Sequence, residues 1–190
     1  MSDCEQRLKE RLEPDLSIGD PRERISTYHD MPYALFRYDP SEEFELRRQV
    51  TMLETRLSGK GKRITRISLA ECLDEAMLSQ RPLEEWYAAE RQQGVATIVE
   101  TLHAVLSEHA PLVDLVAARM PADPDPRRDI VFILRAGALF PAYRTYSLPE
   151  QLQGRVPVPT ILFYPGDLEG TGLRFMGELQ AEHNYRAKIY

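Results

Sequence analysis

The strongest apolar signals along the chain are two short unbroken runs, DIVFIL at 129–134 and PTILFY at 159–164. The first is bounded by Arg127, Arg128 and Arg135, the second by Pro165-Gly166. Runs of this length without polar alternation suit strands buried on both faces, as in a parallel sheet. YALFRY at 33–38 predicts an earlier strand. Residues 64–69 predict another, with Ile64, Ile67 and Leu69 in imperfect alternation. LRFM at 173–176 and residues 185–190 predict short strands near the C-terminus.

Between these runs the period changes to that of helices. Leu8 and Leu12 share one side of a predicted helix over 1–13. Pro14, Gly19, Asp20, Pro21 and Pro32 mark 14–32 as an irregular connection. After Tyr38, Asp39 fits an N-cap, Pro40 the first helical position and Glu42 the capping-box position. The helix that follows carries Leu46, Val50, Leu53 and Leu57 on one face, and Gly59 is its predicted stop. Ser68 and Glu71 form a second capping box before the stripe Leu69, Cys72, Leu73, Ala76 and Met77. Pro82 opens a further helix with Glu84 and Glu85 in its first turn, where the helix dipole favours them. The periodicity then runs through Ile98, Val99, Leu102, Val105 and Leu106. Pro111 breaks it before Leu112, Leu115, Val116 and Met120. PADPDPRR at 121–128 reads as a Pro-rich internal linker, and 141–152 as a crossover helix or loop. The order strand–helix–strand–helices–strand–helix–strand predicts an α/β fold, a mainly parallel sheet flanked by helices, with a helical stretch at about 70–120. The chain, 1–190, is expected to form a single α/β domain, with 1–32 as an N-terminal helix and irregular connection.

Composition narrows the function. The net charge of −6 gives no basic excess of the kind that marks a nucleic-acid binder. One segment departs from this: Arg56, Lys60, Lys62, Arg63 and Arg66 lie together with no acid between them. They are the candidate nucleic-acid contacts. Two cysteines, Cys4 and Cys72, are too few for a disulfide framework and read as reduced thiols. The N-terminus has no apolar signal core, and no apolar run approaches the ~20 residues that span a bilayer. A cytoplasmic protein without a membrane partner is expected.

The motifs of catalysis are missing from the sequence. Gly59-Lys60-Gly61-Lys62 follows a helix and precedes a strand, the wrong context for a phosphate loop, and no hydroxyl residue follows to hold magnesium. Arg135-Ala136-Gly137-Ala138 is better placed, at the carboxyl end of a strand, where doubly wound proteins bind ligands. It too lacks a following Lys-Ser/Thr, and a tight turn using the freedom of Gly137 explains it. His29, His103, His109 and His183 include no i,i+4 pair, and no zinc signature occurs. There is no G-x-S-x-G, and Glu84, Glu85 and Glu90 fall on exposed helix faces. No catalytic residue, metal or cofactor is therefore assigned. The C-terminal third instead interleaves arginines with aromatics, a composition found at interface hot spots.

That third also carries a resemblance. DIVFILRAGALFPAYR, PTILFYPG, LRFMG and NYRAKIY, in that order, resemble the BrxB family of bacteriophage-exclusion (BREX) systems; YALFRYDPSEEFELRRQVTMLETRL fits the family's front end more loosely. The family's turn usually carries two glycines. Here it is Arg135-Ala136-Gly137, which argues against a phosphate loop at that point. The resemblance implies a place in a defence machine that includes a DNA methyltransferase, a phosphatase-like PglZ protein and a large AAA+ ATPase. It implies a non-catalytic assembly or adaptor subunit whose direct partner among the BREX proteins is PglZ. Arg135, Arg144, Tyr164, Arg174 and Arg186 are the expected partner-binding residues. The alternatives are a nucleic-acid-binding module of the same system and a degenerate nucleotide-binding α/β protein using the 135–138 turn.

Overall fold

A computed structural model of the chain describes residues 3–26, 32–156, 158–170, 172–183 and 187–190. Helices α1 (Asp3–Arg7) and α2 (Glu13–Ser17) are joined through a π-helical turn, Leu8–Leu12, and α3 is a single turn, Arg22–Ile25. Then follow β1 (Tyr33–Tyr38), α4 (Glu43–Gly59), β2 (Arg63–Ser68), α5 (Leu69–Gln80), α6 (Leu83–Gln93), α7 (Val95–Ala104) and α8 (Leu112–Ala117). The chain continues with β3 (Asp129–Leu134), the short α9 (Leu148–Gln151), β4 (Thr160–Glu169), β5 (Gly172–Phe175), β6 (Glu182–His183) and β7 (Lys188–Ile189).

The sheet has the order β2-β3-β4-β1-β7, and every pairing on that path is parallel. From β1 the chain steps across to β2 at the edge, then returns through β3 to β4. Crossovers of one hand that run in opposite directions put their helices on opposite faces. Accordingly α1, α2 and α4 cover one face, and α5 to α8 with residues 136–156 cover the other. The two-residue side-chain period divides each strand between them. Phe36, Phe132 and Phe163 pack under α4, with ring centroids 5.6 Å (Phe36–Phe163) and 5.3 Å (Phe132–Phe163) apart. Leu35, Val131, Ile133, Leu162 and Tyr164 point the other way.

Local chemistry explains the boundaries, including those that differ from expectation. The N-terminal helix passes the expected limit at 13 and reaches Ser17. Pro14 brings no N–H, and the π turn just before it carries the chain into α2. Asp39 accepts from the Ser41 amide at 2.8 Å, so a short 3-10 turn precedes α4. Ser68 caps α5 through the Glu71 amide. α4 ends at Gly59, as expected, and the left-handed residue follows two positions on, at Gly61 (φ 81°). Gly94 (φ 86°) splits the long 83–109 periodicity into two helices. β4 does not stop at Pro165-Gly166: it runs on to Glu169 and pairs antiparallel with β5. Glycine permits this, because a Cβ at 166 would fall inside contact distance of the Arg174 carbonyl oxygen and within 3.0 Å of the Tyr164 ring.

Candidate functional site

The carboxyl ends of β2 and β3 open into a cavity of about 650 Å³, walled by the first half of α4 and the start of α5. Phe44, Arg47, Arg48, Arg66, Glu71 and Arg135 supply its polar and aromatic lining. Phe44, Arg47, Arg48 and Thr51 lie at i, i+3, i+4 and i+7, one face of α4, beside the stripe that packs on the sheet. Arg48 pairs with Glu45 at 2.6 Å; Arg66 pairs with Glu54 and donates to Thr51 Oγ1 at 3.1 Å. Arg47 lies 5.9 Å from the centre of the Phe44 ring. Arg135 occupies the left-handed region (φ 61°, ψ 36°), and among the described residues no hydrogen bond or ion pair holds its guanidinium. Guanidinium groups stay charged at any physiological pH and offer forked donors to carboxylate or phosphate. Such donors could hold an anion, with the Glu71 carboxylate opposing them on the same lining.

Beside the cavity stands the β4–β5 hairpin. Residues 160–166 of β4 are buried in the sheet, while 167–170 project with Leu168 half exposed. The 135–138 turn and the hairpin emerge side by side: a Cβ on Gly137 would meet Met176 Sδ at 3.3 Å and Pro165 Cγ at 3.6 Å. The remaining expected partner residues are scattered. Arg174 is on the hairpin, hydrogen-bonded to the Gly177 carbonyl and 3.7 Å from Glu169. Tyr164 cannot serve as a surface anchor: it is fully buried, its ring 5.4 Å from that of Phe175, because Leu162 and Tyr164 of β4 face the layer of α5 to α8. Arg144 is exposed at a second cavity, of about 610 Å³, near His103, whose Nδ1 is 3.0 Å from the Ala142 carbonyl. Arg186 lies outside the described residues.

What reads in sequence as a basic run is, in the structure, a set of internal pairings. Arg56 and Lys60 both reach Glu13, at 2.7 and 3.1 Å. Burial alone would push the Glu13 carboxyl up, but these two cations override it and hold it below the usual range. Lys62 is buried and donates to the carbonyls of Ile18 (2.5 Å) and Arg127 (2.7 Å). Arg63 grips Asp129 with two bonds, 2.7 and 2.6 Å. Arg66 alone of the five reaches the arginine-lined cavity. Cys4 and Cys72 are buried in opposite layers, and among the described residues no group of three or more His, Cys, Asp or Glu is placed to hold a metal. No helix among them is long and apolar enough to cross a membrane. Sequence reading missed Phe44, Arg47 and Arg48; the available signal was a large aromatic on the polar face of an amphipathic helix, at helical spacing from two arginines.

Comparison with known proteins agrees with the resemblance. The family model for BREX protein BrxB matches residues 65–189. A BREX protein BrxB from Bacillus cereus (strain H3081.97) is 26% identical over 189 residues, covering 95% of this chain and 96% of that relative. No solved structure matches the chain.

Proposed function

The chain belongs to the BrxB family, and from that premise we propose that it is a non-catalytic assembly subunit of a BREX anti-phage complex, with PglZ as its direct partner. The observation that carries the reading is the β4–β5 hairpin. A central strand, fixed in the sheet by both neighbours, extends past it and presents Leu168 between Asp167 and Glu169, with Arg174 opposite Asp167 on the paired strand. Such an arm is ordered before it meets a partner, so little conformational freedom is lost on binding. An apolar residue ringed by charge is also the composition of an interface anchor. The nucleic-acid alternative has less support, since the Arg56–Arg66 cations already have internal partners.

The test is co-purification of the full chain with PglZ expressed from its operon, using Leu168→Asp and Arg174→Ala. Loss of PglZ in the pull-down, with the melting temperature of the isolated variants retained, is expected. Retention of PglZ by both variants would remove the hairpin from the interface. Failure of the unaltered chain to bring down PglZ would remove PglZ as the direct partner.

A further inference from the structure

We infer that the arginine-lined cavity at the carboxyl ends of β2 and β3 binds a nucleotide: a phosphate ester carrying an aromatic base. This inference is independent of the PglZ reading.

Position is the first ground. Open α/β sheets take their ligands in crevices outside the carboxyl ends of parallel strands. A cavity of about 650 Å³ is the right size for a small organic ligand. Charge is the second. Two of the four arginines are neutralised, Arg48 by Glu45 and Arg66 by Glu54. Arg47 and Arg135 keep their charge uncompensated by any ion pair among the described residues. The start of α5, a twelve-residue helix, lies on the same wall and adds the positive end of its dipole. Glu71 on the same lining offsets part of this charge, and the positive excess that remains suits a single phosphate group.

The third ground separates a nucleotide from a bare anion. Phe44 is 81% exposed at the lip, and Val50 and Leu134 line the interior. A base has a flat apolar face to set against Phe44, whereas inorganic phosphate uses none of these groups. Glu71 also lines the cavity, and it opposes small polyanions while offering an acceptor to sugar hydroxyls. Arg135 adds a fourth ground. A non-glycine residue in the left-handed region is strained, and such residues cluster where a side chain must be aimed. Arg135 has that conformation and is among the residues that line the cavity. The site has guanidiniums but no Lys-Ser/Thr pair after the turn, so its phosphate contacts are those of arginines and not of a phosphate loop.

The experiment is calorimetric titration of the isolated full chain with AMP, ATP, inorganic pyrophosphate and a short single-stranded oligonucleotide. AMP or ATP should bind, and pyrophosphate should bind more weakly. The double variant Arg47→Ala with Arg135→Gly, in which glycine suits the left-handed backbone, should lose about tenfold or more in nucleotide affinity, as expected for charged hydrogen bonds. Phe44→Ala should weaken AMP several-fold and leave pyrophosphate unchanged. Three results would each overturn the inference: no nucleotide binding at millimolar concentration, binding that survives the double arginine variant, or an oligonucleotide that binds more tightly than either mononucleotide. PglZ is absent from this titration, so its outcome stands apart from the docking test.

Discussion

Lys62 is the position where a charge that looks functional in sequence is held by the fold. It sits between α4 and β2, only 7% exposed, and its ammonium donates to the Ile18 carbonyl at 2.5 Å and the Arg127 carbonyl at 2.7 Å, with Gly19 at 3.4 Å. The amine therefore ties the end of the N-terminal helical segment and the turn before β3 to the start of an edge strand. Replacing it by methionine keeps the length and the apolar stem and removes the donors. Each charged hydrogen bond is worth about 1.5–3 kcal/mol, so the two short ones total roughly 3–6 kcal/mol. Part of that is offset, because methionine avoids desolvating an ammonium, the same burial that lowers the Lys62 pKa. The net expectation for Lys62→Met is a loss of about 2–3 kcal/mol. For a domain of this size that corresponds to a fall in Tm of roughly 4–12 °C. Denaturant unfolding should show the lost stability with an unchanged m value. A titration with double-stranded DNA, run alongside, should be unaffected. An unchanged Tm together with weakened DNA binding would refute the reasoning and restore Lys62 as a phosphate contact.

Acid should weaken the fold through Glu13, Asp15 and Asp129. Each is pushed up by burial and then drawn below the usual carboxylate range by Arg56 and Lys60, by Lys188 and Tyr190, and by Arg63 and the Asp125 amide, respectively. A carboxyl with a lower pKa folded than unfolded contributes stability above about pH 4, and that contribution is lost as pH falls through its folded pKa. Glu13→Gln should therefore flatten the acid limb of a Tm–pH curve; a curve parallel to that of the unaltered chain would contradict the pairing. Burial pushes the Cys4 thiol up to about 12 and the Cys72 thiol up to about 11, so both should resist a thiol reagent at pH 8 until the protein unfolds, and rapid labelling of the native chain would show either to be accessible. Gly166→Ala should separate β5 from β4, read as faster amide exchange confined to 167–175, because the new Cβ meets the Arg174 carbonyl; unchanged protection there would argue that the hairpin tolerates the bulk.

The sequence alone determined the layers. DIVFIL and PTILFY announced buried parallel strands because a strand covered on both faces needs apolar residues at every position, not every second one. The Leu46–Val50–Leu53–Leu57 stripe and the Ser68 cap placed α4 and α5 for equally local reasons. Which strand lies beside which was not legible: β1 pairs with β4 and β7, far along the chain, and only packing of the whole sheet selects those neighbours. The same limit applied to charge. Arg56, Lys60, Lys62 and Arg63 looked like a free basic face because their partners, Glu13, the Ile18 and Arg127 carbonyls and Asp129, are distant in sequence. Tyr164 looked like a surface anchor until the pleat turned it inward. The arginine-lined cavity needed three separate segments, α4, β2 and the turn after β3, to meet at one edge. Hydrophobic period is a local property and can be read from neighbours in sequence, whereas ion pairing and concavity exist only between residues that tertiary packing brings together.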